Sequence, residues 1–481
     1  MARSLLRTIV LYAVMFPMAM TMFWIVRLHG EALHAPAPRI GAPHLGPATA
    51  GAAKINVLPQ LLLAMLSILV AVRVVGWVFT RLRQPPVMGE VVAGIVLGPS
   101  VLGWLWPHGE ALIFPAGLGP YLAAVSQVGI VLYMFLVGLE LNPALFRGRT
   151  HATVAVSHAS IIVPFSLGAC ISLVTYPQLS SSDVPFTSFA LFSGVALSVT
   201  AFPVLARILT DRQLQTSRLG AIALACAAAD DVTAWCLLAF VVGVVHAAVQ
   251  RALVTVVLTA IYLAVMLLIC RPIIHRVVAW FEHERRMTRG VMGAICIALL
   301  ASALVTELIG IHALFGAFLA GAIVPPESKL ARALCSRLED LVTVLLLPAF
   351  FAIAGLNTQI GLVSGASAWL TVGLIIVAAS LGKFGGAYMA GRLTGLPPAD
   401  ASVLGIMMNT RGLMELIVLN IGLDLGILSP ALYSMYVLMA LATTLVACPL
   451  IDALMPRAIL GPMHRVGHRA DEVEASAGFS S

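Results

Sequence analysis

Two adjacent carboxylates, Asp230 and Asp231, stand in the middle of an apolar run from about Leu219 to Val245. The run is long enough to cross a bilayer. An aspartate at the centre of such a helix costs about 2.5–3.5 kcal/mol, so the pair costs roughly 5–7 kcal/mol before compensation. Neighbours on a helix project about 100° apart, so the two acids cannot share one environment. One can pair with a cation while the other faces a cavity. Their protons belong to the pair rather than to either residue. The chemistry this suits is reversible binding of a proton or a cation. A salt-bridge network that locks helices together is the other reading.

Lys383, in LGKFGGAYMAGR, is the lysine placed deep in an apolar segment and the natural partner for one of the acids. It could be a permanent bridge, or be released when the site fills and itself exchange a proton. Arg411 and Glu415 lie one helical turn apart, either as a local ion pair or as charge compensation for facing helix ends. Ser198 and Thr200 offer hydroxyls next to Pro203, which lacks an N–H and frees the carbonyl of Val199. Asn409 sits in a second weak stretch, Asn409-Thr410-Arg411-Gly412. The candidate ion and proton ligands are therefore Asp231, Asp230, Thr200 and Ser198. The surrounding charge network is Lys383, Arg411, Glu415 and Asn409.

Other polar residues are weaker candidates. Glu140 reads as a solvated or capping group near a segment end, and Glu90 lies beside an apolar segment. Glu307 and His312 bracket a short turn as an interfacial pair, a gate or a pH sensor. His158 reads as a hydrogen-bonded core histidine or a proton relay. The seven cysteines are scattered without a CxxC, so no disulfide framework or zinc site is implied. No metal beyond a transported cation and no cofactor is expected. No G-x-x-x-x-G-K-[ST] or H-E-x-x-H occurs. An aspartyl enzyme needs acids from two helices, which adjacent residues do not supply. The chain is thus not expected to be an enzyme, and nothing suggests nucleic-acid binding.

The elements that must hold these residues follow from hydrophobicity. Of the 481 residues, 60% are hydrophobic and 10% charged, a composition that excludes a soluble globular domain. Thirteen apolar segments follow the N-terminal region, at about 56–79, 86–106, 119–141, 151–176, 185–209, 218–246, 250–270, 289–309, 311–325, 341–360, 367–391, 401–422 and 430–454. Alternate connections carry the basic residues, among them Arg81 and Arg83, Arg207 and Arg212, Arg276 and Arg289, and Lys329 and Arg332. The opposite connections carry only Arg251. The bias places the basic loops and the C-terminus in the cytoplasm.

Residues 1–27 read as a signal sequence or an extra transmembrane helix, and 28–54 as an extracytoplasmic Pro/Ala/Gly linker. That linker holds His29, His34 and His44. The membrane domain spans 55–455, with a short cytoplasmic tail at 456–481. Thirteen segments divide as six, one, six: repeats at about 56–246 and 289–455, and a linker helix at about 250–270. An odd linker inverts the second half, a common transporter architecture. The fifth segment of each half is interrupted, at Ser198–Pro203 and at Asn409–Gly412. Broken helices in lipid must turn their unpaired backbone toward protein or a wet cavity.

Taken together, QPPVMGEVVAGIVLGPSVLG (84–103), VGIVLYMFLVGLEL (128–141), SVTAFPVLARIL (198–209), ADDVTAW (229–235), TELIGIHALFGAFLAGAIVP (306–325), LPAFFAIAGLNT (347–358), GKFGG (382–386) and MNTRGLMELIVLNIGLDLGIL (408–428) resemble the monovalent cation:proton antiporter-2 family. That family comprises the sodium/hydrogen exchanger domain of Kef-type and plant cation/proton exchangers. The resemblance implies an all-α polytopic membrane protein with a thirteen-helix inverted-repeat fold, two broken crossing helices and, here, one extra N-terminal hydrophobic segment. It implies elevator-type exchange of a monovalent cation, Na⁺ or K⁺, for protons in a plasma-membrane homodimer. It further implies that Asp231 is the carrier and Asp230 the partner of Lys383, in a class that tends to be electrogenic. Kef-type proteins carry a nucleotide-binding regulatory domain, whereas the stretch after the last segment holds no G-x-G-x-x-G, so none is expected. A gated K⁺ efflux channel and a non-transporting ion sensor are the alternatives on this fold.

Overall fold

The computed structural model describes residues 2–37, 56–115, 117–140, 150–214, 217–245, 249–284 and 288–454. His44, most of the expected linker and the expected tail lie outside them. Among the described residues the regular secondary structure is all helical. An N-terminal helix, α1 (Ala2–Gly30), precedes α2 (Val57–Arg81) and α3 (Pro86–Leu97). Two short turns follow, α4 (Leu102–Leu105) and α5 (Pro107–Ile113), then α6 (Gly119–Glu140) and α7 (Thr150–Leu179). The first broken pair is α8 (Phe186–Ser198) and α9 (Phe202–Asp211), and α10 (Arg218–Val245) carries the aspartates. The linker α11 (Val249–Val265) runs through a π-turn into α12 (Arg271–Glu284). The second half comprises α13 (Arg289–Ile309), α14 (Ala313–Ala322) and α15 (Lys329–Leu341), which continues through another π-turn into α16 (Leu347–Leu356). It closes with α17 (Gly365–Leu393), the broken pair α18 (Pro398–Met408) and α19 (Leu413–Asp424), and α20 (Pro430–Leu454).

Among the described residues, twelve helices are long and apolar enough to cross a membrane, or thirteen if the bent α18/α19 pair is one span. One of these is the segment in α1. The ten-residue α14 is apolar but too short to span alone and completes the thirteen expected segments. Two edges differ from expectation. The linker helix continues to Glu284, and the segment expected at 341–360 begins at Lys329. In both places charged side chains ended the apolar run while the backbone stayed helical. α15 carries Arg332, Arg337, Glu339 and Asp340 along a face that leaves the core.

Between helices in lipid the driving force is close packing, which favours small residues at crossings. Gly94 on α3 and Gly355 on α16 meet so tightly that a Cβ on Gly94 would lie 2.2 Å from the Ala352 carbonyl oxygen. A Cβ on Gly355 would lie 2.2 Å from that of Val91. Gly138 on α6 and Gly321 on α14 make the matching crossing, with 2.2 Å to the carbonyls of Phe318 and Phe135. Helix two of the first half thus crosses helix three of the second, and the reverse crossing repeats it. The fourth helices of the two halves, α7 and α17, also pack together, with Gly386 against the Ala159 carbonyl. These reciprocal pairings are the physical form of the inverted repeat. They sort the helices into two groups: α2, α3, α6, α13, α14 and α16, and α7 to α10 with α17 to α20.

At these crossings the obstructing atoms are backbone. Gly94→Val is expected to lower stability by about 1–3 kcal/mol or more through overpacking, checked by the melting temperature of the detergent-solubilised protein. Gly76→Val, with nothing within 4 Å of its Cβ, is the matched control expected to melt near wild type.

Candidate functional site

The site lies where the two broken helices cross. Val199, Thr200 and Ala201 are extended between α8 and α9, with Phe202 and Pro203 opening α9. Proline suits that first turn because its missing N–H would have no helical partner there. In the second half, Asn409 to Gly412 separate α18 from α19, and the two pieces are bent by 43°. The breaks satisfy each other: the Ala201 N–H donates to the Thr410 carbonyl at 3.2 Å. The Thr444 hydroxyl on α20 pins the second break, accepting from the Arg411 N–H at 2.8 Å and donating to the Arg411 carbonyl at 2.9 Å.

Four half-helix ends meet here, and each has a compensating group. Arg411 Nη1 and Nη2 donate to the Ala196 and Leu197 carbonyls at the C-terminal end of α8, at 3.2 and 2.7 Å. Its Nη1 also pairs with Glu415 Oε2 at 3.2 Å, both side chains being fully buried. Glu415 stands in the first turn of α19, where a negative charge opposes the helix dipole. The Met408 carbonyl, ending α18, lies 3.2 Å from the Thr200 hydroxyl. The Phe202 N–H, which opens α9, points to the Asp231 carboxylate.

The two aspartates have unequal surroundings. Asp230 is saturated: Ser157 donates to Oδ1 at 2.5 Å, and Ser160 and Thr200 donate to Oδ2 at 2.9 and 2.7 Å. Lys383 Nζ pairs with the same Oδ2 at 3.1 Å and also donates to the Thr200 hydroxyl. All five side chains are fully buried. Among the described residues Asp231 makes no ion pair and its Oδ1 has no hydrogen-bond partner, and the residue is only 4% exposed. A buried carboxylate oxygen without a donor carries the full desolvation cost, and both Glu415 oxygens share that lack of a hydrogen-bond donor.

A cavity of about 870 Å³ lies between the two helix groups. Phe202 and Leu413, the first residues of α9 and α19, help line it. Asp231 is not part of the lining, but Phe202, whose N–H it faces, is. Glu90, Glu140 and Glu339 line the walls with Arg73 and Arg207. Glu140 and Arg207 belong to helix ends that lead into basic loops, and Glu339 lies on α15 just after the basic residues Arg332 and Arg337.

Of the sequence candidates, Asp230, Asp231, Thr200, Lys383, Arg411 and Glu415 come together at the crossing. Ser198 is buried but turned back onto the Val195 carbonyl at 2.9 Å. Asn409 reaches Ser380 at 3.4 Å and leaves its Oδ1 without a partner. Glu307 and His312 cap α14: the Ala313 N–H donates to Glu307 at 2.8 Å and the Leu314 N–H to His312 at 3.5 Å. Ser157 and Ser160, which hold Asp230, are not among the sequence candidates. Their spacing of three on an apolar helix, which puts both hydroxyls on one face, was the available signal. Arg73, inside α2, is a second omission.

The family model described as sodium/hydrogen exchanger, transmembrane, matches residues 67–456. The chain belongs to that family. It is 42% identical over 401 residues to the Na(+)/H(+) antiporter NhaS4 of Synechocystis, covering 82% of this chain and 98% of the relative. It is 37% identical over 409 residues to cation/H(+) antiporter 20 of Arabidopsis thaliana, covering 82% of this chain and 48% of that protein. It is 34% identical over 388 residues to K(+)/H(+) antiporter 1 of Saccharomyces cerevisiae, covering 79% of this chain and 44% of that protein. The chain therefore spans about half the length of these plant and yeast relatives. In fold it is similar to the sodium proton antiporter MjNhaP1 from Methanocaldococcus jannaschii, with a TM-score of 0.59 at 14% identity over 82% of this chain and 97% of the other. The relatives are named as antiporters, not enzymes, and the exchanger family is one of multi-pass membrane proteins.

Removing Arg411 strands Glu415 in the interior. Arg411→Met should cost about 3–5 kcal/mol, as breaking a buried pair does, read as a lowered melting temperature in detergent. Adding Glu415→Leu should recover part of that loss, because the orphaned charge is gone.

Proposed function

We propose that this chain exchanges a monovalent cation for protons across a membrane, with cation and proton competing for Asp231. What supports this reading most is the inequality of the two carboxylates: Asp230 has four donors, while Asp231 Oδ1 has none. Asp230 keeps Lys383 and the Thr200 break in register. Asp231, beside the N-terminus of α9, takes either a proton or a cation. Each loaded form neutralises the carboxylate, so loaded carriers cross the apolar barrier and the bare anion does not. That difference couples the two fluxes.

The two helix groups supply the moving parts. In this reading the group holding the crossing slides past the other in an elevator-like step. The cavity lined by Glu90, Glu140 and Glu339 is the approach from the cytoplasmic side. Residues 1–27 form an extra transmembrane helix, and the membrane domain occupies 55–455 with its C-terminus in the cytoplasm of a plasma-membrane protein. The outward apolar face of α2, with Leu58, Leu62 and Leu66 exposed, is where a second copy packs in a homodimer. The relatives' names divide between sodium and potassium. The proposal covers both ions, because selectivity rests on sub-ångström carbonyl geometry.

Asp231→Asn should abolish cation-driven proton movement in proteoliposomes carrying a pH dye, with the melting temperature kept near wild type. Wild-type exchange by that variant removes Asp231 from the mechanism. Cation flux unchanged by a proton ionophore would make the protein a channel. Cation-dependent stabilisation with zero flux would make it a sensor.

A further inference from the structure

The N-terminal helix α1 precedes residues 67–456, so the family match says nothing of it. It lies along the α7, α8 and α17 side of the crossing group. Met15 and Val26 are buried at 5% and 3% exposure, and Phe23 packs on Phe165 with ring centroids 6.3 Å apart. Gly30 lets the end of α1 close on Phe186, whose ring a Cβ would meet at 1.9 Å. Beyond the helix, the Pro36 carbonyl accepts from the Ser182 N–H at 3.0 Å, and Glu31 accepts from the Thr187 hydroxyl at 3.3 Å.

One contact of α1 reaches toward the site. The Tyr12 hydroxyl lies 2.6 Å from His158 Nδ1, with the two rings edge to face at 5.7 Å. Phe16 stacks on Tyr12 at 5.8 Å and steadies its ring. His158 sits on α7 between Ser157 and Ser160, the two serines that donate to Asp230. With the phenol assigned as donor, His158 is neutral and its proton sits on Nε2.

We propose that α1 is a resident part of the transporting unit and that Tyr12 is a positioning residue for the ion site. Through His158 it fixes the turn of α7 that presents Ser157 and Ser160 to Asp230. This rests on the reading of Asp230 and Asp231 as the exchange site and adds the element that holds one wall of it. A lipid-facing helix would need only apolar packing; the phenol–imidazole bond gives α1 a defined depth and rotation. Losing that bond leaves the α7 turn less constrained, and the cation site pays in affinity rather than in maximal rate.

The test is a double-mutant cycle on the full chain in proteoliposomes: wild type, Tyr12→Phe, His158→Gln and both. Tyr12→Phe keeps the ring and its packing. It should raise the cation KM about three- to tenfold, the scale of one hydrogen bond, with kcat within about twofold. The double variant should show no further rise beyond His158→Gln alone, because the two side chains act through one contact. A Tyr12→Phe KM equal to wild type, or effects that simply multiply, would overturn the proposal. Intact mass of the purified protein should include residues 1–30; a mass lacking them also overturns it. Failure here with Asp231→Asn still inactive removes α1 from the mechanism and leaves the exchange site standing. Activity in Asp231→Asn removes the site itself.

Discussion

Everything at the centre of this protein depends on one constraint: two helices are broken where water is scarce, and every exposed helix end must find a partner. The low-dielectric surroundings make an unpaired N–H or carbonyl expensive, so the breaks cannot stand alone. They answer each other through Ala201 and Thr410. Arg411 then takes the carbonyls that end α8, and Glu415 offsets both that arginine and the N-terminus of α19. Lys383 and Thr200 tie the first break to Asp230. The charges that look anomalous in so apolar a chain are the groups that let the crossing exist.

The same constraint explains why the aspartates differ. On adjacent helix positions they face different neighbours by geometry alone. Asp230 falls toward the two serines of α7, the lysine of α17 and the threonine of the first break. Asp231 falls toward the opening of α9, where a helix N-terminus welcomes negative charge but supplies no counter-ion. The exchange proposed for Asp231 needs that incompleteness. Full satisfaction, as at Asp230, would hold the carboxylate permanently in one state.

Much of this was legible in the sequence because membranes make mistakes costly. Apolar runs of spanning length located the helices, and the expense of buried charge singled out Asp230, Asp231, Lys383 and Arg411. Pro203 and Gly412 marked the breaks through backbone chemistry. What escaped was tertiary. The partners of Arg411 are backbone carbonyls, which sequence cannot distinguish. Ser157 and Ser160 are common residues whose role depends on which face of α7 meets α10. Ser198 stands two residues from Thr200, yet its hydroxyl turns back into its own helix. α15 was missed because charge on one face hides the continuity of a helix from a hydropathy reading.

The central claim is that a single carboxylate, Asp231, trades a proton for a cation. It is tested most directly by proton release on cation binding, measured by calorimetry in buffers of different ionisation enthalpy near the titration midpoint. Competition at one site predicts about half a proton released per cation bound at the midpoint in the wild type, rising toward one as the pH falls below it. It predicts loss of both binding and release in Asp231→Asn. Cation binding with no proton released at any pH, or undiminished release in that variant, would contradict it.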